Sequence, residues 1–256
     1  MSESYLMNMK LYNSDPILAD PLIQLYQQQI GCLQYLAEQS RPDLKLSVNF
    51  LSRRNKSPTH RDLRAARRVL YYLEQTQNDG IIFCTYGLPF ELFVTTDASY
   101  DCHLDSKSHS GLSFHLGRFS GSFLSMSKKQ KVTADSSTVA EFIGAHTSCQ
   151  TIAWVTNLLS EMKVTLKQPV TLYQDNMSTI KILHHKGNEA RTKHIDLRFN
   201  IIREFIQKGR IVVKHLQTDY MTADTLTKPL SGPAFLRHKI RLLNLSPPTD
   251  TDLSYL

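Results

Sequence analysis

Four carboxylates in this chain of 256 residues could act together: Asp97, Glu141, Asp175 and Asp224. Asp97 follows the apolar run Leu92, Phe93 and Val94, which delivers it to the end of a short strand, and Asp175 follows the run of residues 170–174 in the same way. Glu141 lies in the first turns of a helix whose start is marked by the capping side chains Asp135, Ser136 and Ser137. Asp224 opens a short helical turn over residues 223–228. Taken singly, each has a plainer reading: an aspartate after a strand forms turns, Glu141 can be a solvated helix residue, and an acid at a helix start is favoured by the dipole. Ligands of open α/β sheets collect at strand ends, so two neighbouring strands would bring the four acids to one edge. Carboxylate oxygens are the donors that Mg2+ prefers. Two such ions about 4 Å apart stabilise the attacking and leaving oxygens of a phosphodiester during hydrolysis.

The elements that would hold these acids can be read from periodicity. Residues 81–85 and 91–96 are expected strands, Leu112, Phe114 and Leu116 alternate with polar residues, and residues 119–126 form a further strand, so a meander of three or four antiparallel strands comes first. The helix carrying Glu141 follows, with Phe142, Ile152, Val155 and Leu159 among its apolar positions. A strand over residues 170–174, a helix through Ile180 and Leu183, a helix over about residues 194–207 and a strand over residues 211–216 complete a mixed sheet covered by helices. Upstream, Leu22, Tyr26, Ile30, Leu33 and Ala37 recur at helical spacing, and residues 44–51 form a second apolar segment. Ser57 and Pro58 then mark the start of a helix with Leu63, Ala66, Leu70 and Leu73 on one face and Arg61, Arg64 and Arg68 on roughly the opposite one. The expected organisation is a lead-in over residues 1–21, a small helical subdomain over 22–80, an α/β domain over 81–245 and a disordered tail over 246–256.

Charge sharpens the reading. The formal net charge is +7, and residues 41–72 alone hold nine basic and two acidic side chains, which equals the whole excess. A local basic block suggests a polyanionic partner, the alternative being a solvated helix face. Four scattered cysteines form no CxxC pair, and the spacing of Cys102, His103, His109 and His115 fits no zinc pattern. There is no apolar run of bilayer-spanning length, and the first residues lack a signal peptide's basic and apolar halves, so the cytoplasm or nucleus is the expected location and no membrane partner is expected.

Six stretches carry a family resemblance: IGCLQYLAEQSRPDLKLSVNFLSR (residues 30–53), ARRVLYYLEQTQNDGIIF (66–83), SKKQKVTADSSTVAEF (127–142), LYQDNMSTI (172–180), RTKHIDLRFNIIRE (191–204) and ADTLTKPL (223–230). In these the chain resembles the C-terminal part of the Pol polyprotein of copia-type long-terminal-repeat retrotransposons, the ribonuclease H domain with the adjoining thumb and connection of the reverse transcriptase. The resemblance implies a ribonuclease H-like fold with a five-stranded mixed sheet. It also implies hydrolysis of the RNA strand of RNA/DNA hybrids with two Mg2+ ions, bridged by Asp97, with Glu141 and Asp175 on one side and Asp224 on the other. Arg61, Arg64 and Arg68, together with Arg191, Lys193 and His194 of the RTKHID stretch, are the expected contacts to nucleic acid. Such a hybrid is read through phosphates and 2′-hydroxyls more than base edges. His215 lies near where cellular ribonucleases H carry a histidine that helps product leave.

Where the family usually has a glutamate, this chain has Val139; where it has a histidine, Glu189; and Ser99 to Asp101 replace its aspartate- or glycine-containing turn. None of these is one of the four acids. The polymerase palm would lie upstream of residue 1, so no polymerase activity is expected and the upstream reverse transcriptase domains are expected partners. The rival reading is a catalytically silent, transposon-derived nucleic-acid-binding protein. An integrase is disfavoured, because the HHCC zinc pattern is lacking.

Overall fold

The computed structural model describes residues 15–84, 90–117, 119–184 and 196–245, with the main chain alone at 196, 197 and 199. The tail over 246–256 and most of the expected lead-in fall outside these residues.

The centre of the molecule is a five-stranded sheet in the order β3-β2-β1-β4-β5. Its strands are β1 (Leu92–Ser99), β2 (His109–Leu116), β3 (Ser122–Lys129), β4 (Val170–Gln174) and β5 (Ile211–His215). β1, β2 and β3 form an antiparallel meander, whereas β4 runs parallel to both β1 and β5. This is the ribonuclease H-like mixed sheet that the resemblance implies. Alternation along β1 sorts its side chains: Leu92 and Val94 join the main core, while Phe93 faces a smaller cluster with Tyr173, Leu216 and Met221 on the other side.

The main core is closed by α4 (Ser137–Glu161), α5 (Met177–His184) and α6 (Asp196–Gln207), which contribute Phe142, Ile152, Val155, Ile180, Leu183 and Ile202. α4 starts where Ser136 Oγ accepts a hydrogen bond from the Val139 amide, as the capping residues predict. Upstream, α1 (Asp20–Gln39), a 3-10 turn (Pro42–Leu44), α2 (Lys45–Ser52) and α3 (His60–Gln75) enclose their own core of Tyr26, Ile30, Leu33, Leu51, Leu63, Ala66 and Val69. α2 lies against the edge strand β3, where Lys45 Nζ donates to the Ser125 carbonyl at 2.6 Å and Asn49 Nδ2 to the Ser127 carbonyl at 2.9 Å.

Several expectations need correction. Residues 81–84 are not a strand: Ile82 donates to the Leu243 carbonyl and accepts from the Gly121 amide, so the segment is a strap pinned by a helix end and a turn. β3 runs from Ser122 to Lys129, three residues later at each end than expected, because it pairs with β2 from His109 to His115. α3 is capped by Thr59, not Ser57, since Asp62 completes a capping box by accepting from the Thr59 amide at 2.8 Å. A helix absent from the sequence reading, α7 (Gly232–Leu243), follows two 3-10 turns (Thr218–Tyr220 and Thr222–Leu226). It buries His238 and Lys239 beside Leu242 and Leu243 on its inner face.

Candidate active site

The register of two parallel strands sets the site. β1 and β4 pair as far as Thr95 opposite Tyr173, so two residues further on Asp97 and Asp175 stand level where the strands part. Asp97 is therefore within β1, which continues to Ser99 against β2, and is not its last residue as expected; it is the end of β4 that opens the space beside it. Glu141 reaches the same place from the second turn of α4, and Gln174 Nε2 donates to Glu141 Oε2 at 3.0 Å. Asp97, Glu141 and Asp175 each present an oxygen within 4.8 Å of the others.

Asp224 arrives from the opposite side on the 3-10 turn Thr222–Leu226, which is seated on β1 and β2. Two features let it approach. Thr95, Ser113 and Thr222 share hydroxyl hydrogen bonds of 2.7–2.9 Å beneath the turn. Gly111, opposite Asp97 in the β1–β2 ladder, has no side chain: a Cβ there would stand 2.7 Å from Thr227 Cγ2 and 2.8 Å from the Ala223 carbonyl oxygen. Thr227 then donates a short hydrogen bond to Asp97 Oδ2. Lys228 places its Nζ 3.1 Å from Asp224 Oδ1 and 3.7 Å from Asp97 Oδ2. The ammonium is the partner of Asp224 Oδ1, an oxygen otherwise buried without a hydrogen bond, and the contact is an ion pair.

Burial makes the concentrated charge costly. Asp97 and Asp224 are each 1% exposed and Glu141 6%. Desolvation, followed by the nearby Asp97 and Asp175 charges, pushes Glu141 up to about 9. Desolvation and Asp97 push Asp224 up to about 8 against the pull of Lys228, and Asp175 is raised for the same first two reasons. For Lys228, burial works to lower the pKa but is outweighed by Asp97 and Asp224, which hold the ammonium firmly protonated. The acids therefore favour protons or cations in their midst.

The basic block divides into structural and surface parts. Arg41 is buried and forms a two-pronged pair with Asp43, and Lys45 is buried against β3, so neither belongs to a polyanion surface. Arg61 pairs with Asp15 at 3.4 Å, whereas Arg64 and Arg68 are exposed. All three arginines line a groove of about 610 Å³ between α3 and residues 228–232, which brings the arginine row beside Lys228. Arg191, Lys193 and His194 lie outside the described residues. His215 is exposed and pairs with Gln174, one residue before Asp175. His103 and His109 bond to each other at 3.0 Å and stack on Phe50, a packing role with no carboxylate or thiol completing a metal set among the described residues. Sequence reasoning missed Gly111, Gln174, Thr227 and Lys228 as parts of the site, although the last two stand inside ADTLTKPL.

No protein-family model matches the chain. It is 37% identical over 211 residues to the Retrovirus-related Pol polyprotein from transposon RE1 of Arabidopsis thaliana, covering 82% of this chain and 14% of that protein. It is 34% identical over 205 residues to the corresponding polyprotein from transposon TNT 1-94 of Nicotiana tabacum, covering 79% and 15%. The chain thus spans only a small part of the length of these relatives. The crystal structure of LC11-RNase H1 in complex with RNA/DNA hybrid aligns with a TM-score of 0.40 at 12% identity, covering 54% of this chain and 94% of that one. The strand order, and not this alignment, carries the fold assignment. On its sequence relationships, the chain belongs to the copia-type retrotransposon Pol family.

Proposed function

We propose that this chain is a metal-dependent ribonuclease H that cuts the RNA strand of RNA/DNA hybrids internally, with Asp97, Glu141, Asp175 and Asp224 as the carboxylates that hold Mg2+. The observation carrying this reading is the meeting of three carboxylates within 4.8 Å at the parting of β1 and β4, with the buried Asp224 across from them. The donor set fits the ion, because it consists of hard carboxylate oxygens, three of them gathered within 4.8 Å. A divalent cation bound there supplies Lewis-acid polarisation of a phosphodiester oxygen and offsets the charge that develops during hydrolysis.

The chain's own residues do the rest. Gln174 fixes Glu141 by one oxygen and Thr227 fixes Asp97, so both carboxylates are oriented before substrate arrives. The proton that burial favours on Glu141 leaves when a cation enters. Arg64 and Arg68, in the groove that reaches Lys228, are placed to hold a sugar–phosphate backbone alongside the acids. In the polyprotein, the reverse transcriptase portion of Pol is the partner that presents the hybrid.

The test is cleavage of an end-labelled RNA/DNA hybrid by the purified chain with Mg2+, beside Asp97→Asn and a chelator control. Internal cuts in the RNA strand that vanish in both controls support the reading. Salt-sensitive hybrid binding without Mg2+-dependent cutting sinks it and leaves the silent nucleic-acid-binding protein.

A further inference from the structure

Lys228 faces two compartments at once. Its ammonium stands between Asp97 and Asp224, and its side chain, 37% exposed, also lines the groove that holds Arg64 and Arg68. Two places for positive charge therefore adjoin each other. One lies among Asp97, Glu141 and Asp175, whose oxygens gather within 4.8 Å. The other lies between Asp97 and Asp224 and already contains a cation of the chain itself.

We propose that Lys228 is a resident cation that competes with a divalent ion for Asp224 and Asp97, so that the free protein takes up one divalent ion and a second enters only when the ammonium turns into the groove. The proposal rests on the nuclease reading above and adds a control point to it. An ammonium held between Asp97 and Asp224 occupies the space and the carboxylate oxygens that a divalent ion would take there, so the two exclude one another at that position. The hold on Lys228 suits a displaceable group: its side chain is 37% exposed beside two buried carboxylates, and the lysine stem is flexible. Direction comes from the groove. While it is empty, Arg64 and Arg68 on its wall repel the ammonium and favour the acids; a nucleic-acid backbone in the groove reverses that balance by offering phosphates to all three cations. Lys228 would then accompany the phosphate chain while Asp224 turns to the metal.

The test counts Mn2+ bound per chain, by the electron paramagnetic resonance of free Mn2+, in the full chain without nucleic acid. Wild type is expected to bind one ion, Lys228→Met two, and Lys228→Arg one, the retained charge restoring exclusion. A hybrid with 2′-O-methyl groups throughout its RNA strand, which cannot be cut, is expected to raise wild type from one to two. Lys228→Gln, with its melting temperature compared with wild type, serves if the methionine variant folds poorly. Two ions in hybrid-free wild type, or one in both neutral variants, overturns the proposal. Failure of the nuclease reading looks different: no ion binds to wild type or any variant, and no hybrid is cut.

Discussion

Lys45 Nζ donates to the carbonyl oxygen of Ser125 at 2.6 Å, from a side chain that is only 7% exposed. This bond fastens α2 of the helical region to the edge strand of the sheet, a strand whose unpaired carbonyls would otherwise invite pairing with a second chain. Lys45→Met leaves the Ser125 carbonyl buried without a donor and is expected to cost about 1–3 kcal/mol. Urea unfolding followed by circular dichroism measures the loss, and size-exclusion chromatography should show more self-association. Unchanged stability would mean that the helical region is not held through this contact.

Gly111→Ala puts a methyl group against the Ala223 carbonyl and the Thr227 side chain, so the turn bearing Asp224 must lift from the sheet. The expected cost is about 1–3 kcal/mol of overpacking. Hybrid cleavage should fall with it, because Thr227 and Asp224 move together away from Asp97. Full activity alongside an unaltered melting temperature would show that the turn tolerates displacement.

Without metal, the folded chain retains a proton on Glu141 to about 9, whereas the ordinary value is 4.5. The folded state thus binds more protons than the unfolded one between those limits, and its stability must fall as pH rises through that window. Urea midpoints in the presence of a chelator, taken from about pH 5 to about pH 9, should decline; Mg2+ should flatten the decline by taking the proton's place. Glu141→Gln should also flatten it. A midpoint that rises with pH in the chelated protein contradicts the buried acid cluster.

Arg64→Ala and Arg68→Ala should each weaken hybrid binding with little dependence on sequence, and each should reduce the slope of log affinity against log salt by about 1. Arg61→Ala should do less, because Asp15 already engages its guanidinium. Binding measured by fluorescence anisotropy over a salt series decides this. An unaltered slope in the first two variants removes the groove from the nucleic-acid path.

Much of the sheet was legible because its signals are local. The run Val170–Gln174 lies between breakers and is buried throughout, and β4 occupies those same residues. Ser136 does cap α4, which places Glu141 one turn inside. The start of α3 was misjudged between two adequate caps, Ser57 and Thr59, because the deciding bond comes from the Asp62 side chain. The basic block of residues 41–72 enters a charge count whole, yet a guanidinium that finds a buried carboxylate, as Arg41 finds Asp43, looks the same in sequence as one that faces water.

The identity and chain order of the four acids, the strand and helix that carry each, and the charge of the arginine helix follow from the sequence alone, since caps and periodicity act over a few residues. That Asp97 and Asp175 stand level depends on a parallel register between strands far apart in the chain. That Asp224 closes on them depends on the bare Cα of Gly111, and that Lys228 lies between two of the acids depends on how the turn Thr222–Leu226 seats on the sheet. Such distances are set by long-range packing, in which each close approach is allowed or forbidden by atoms with no local signature in the sequence.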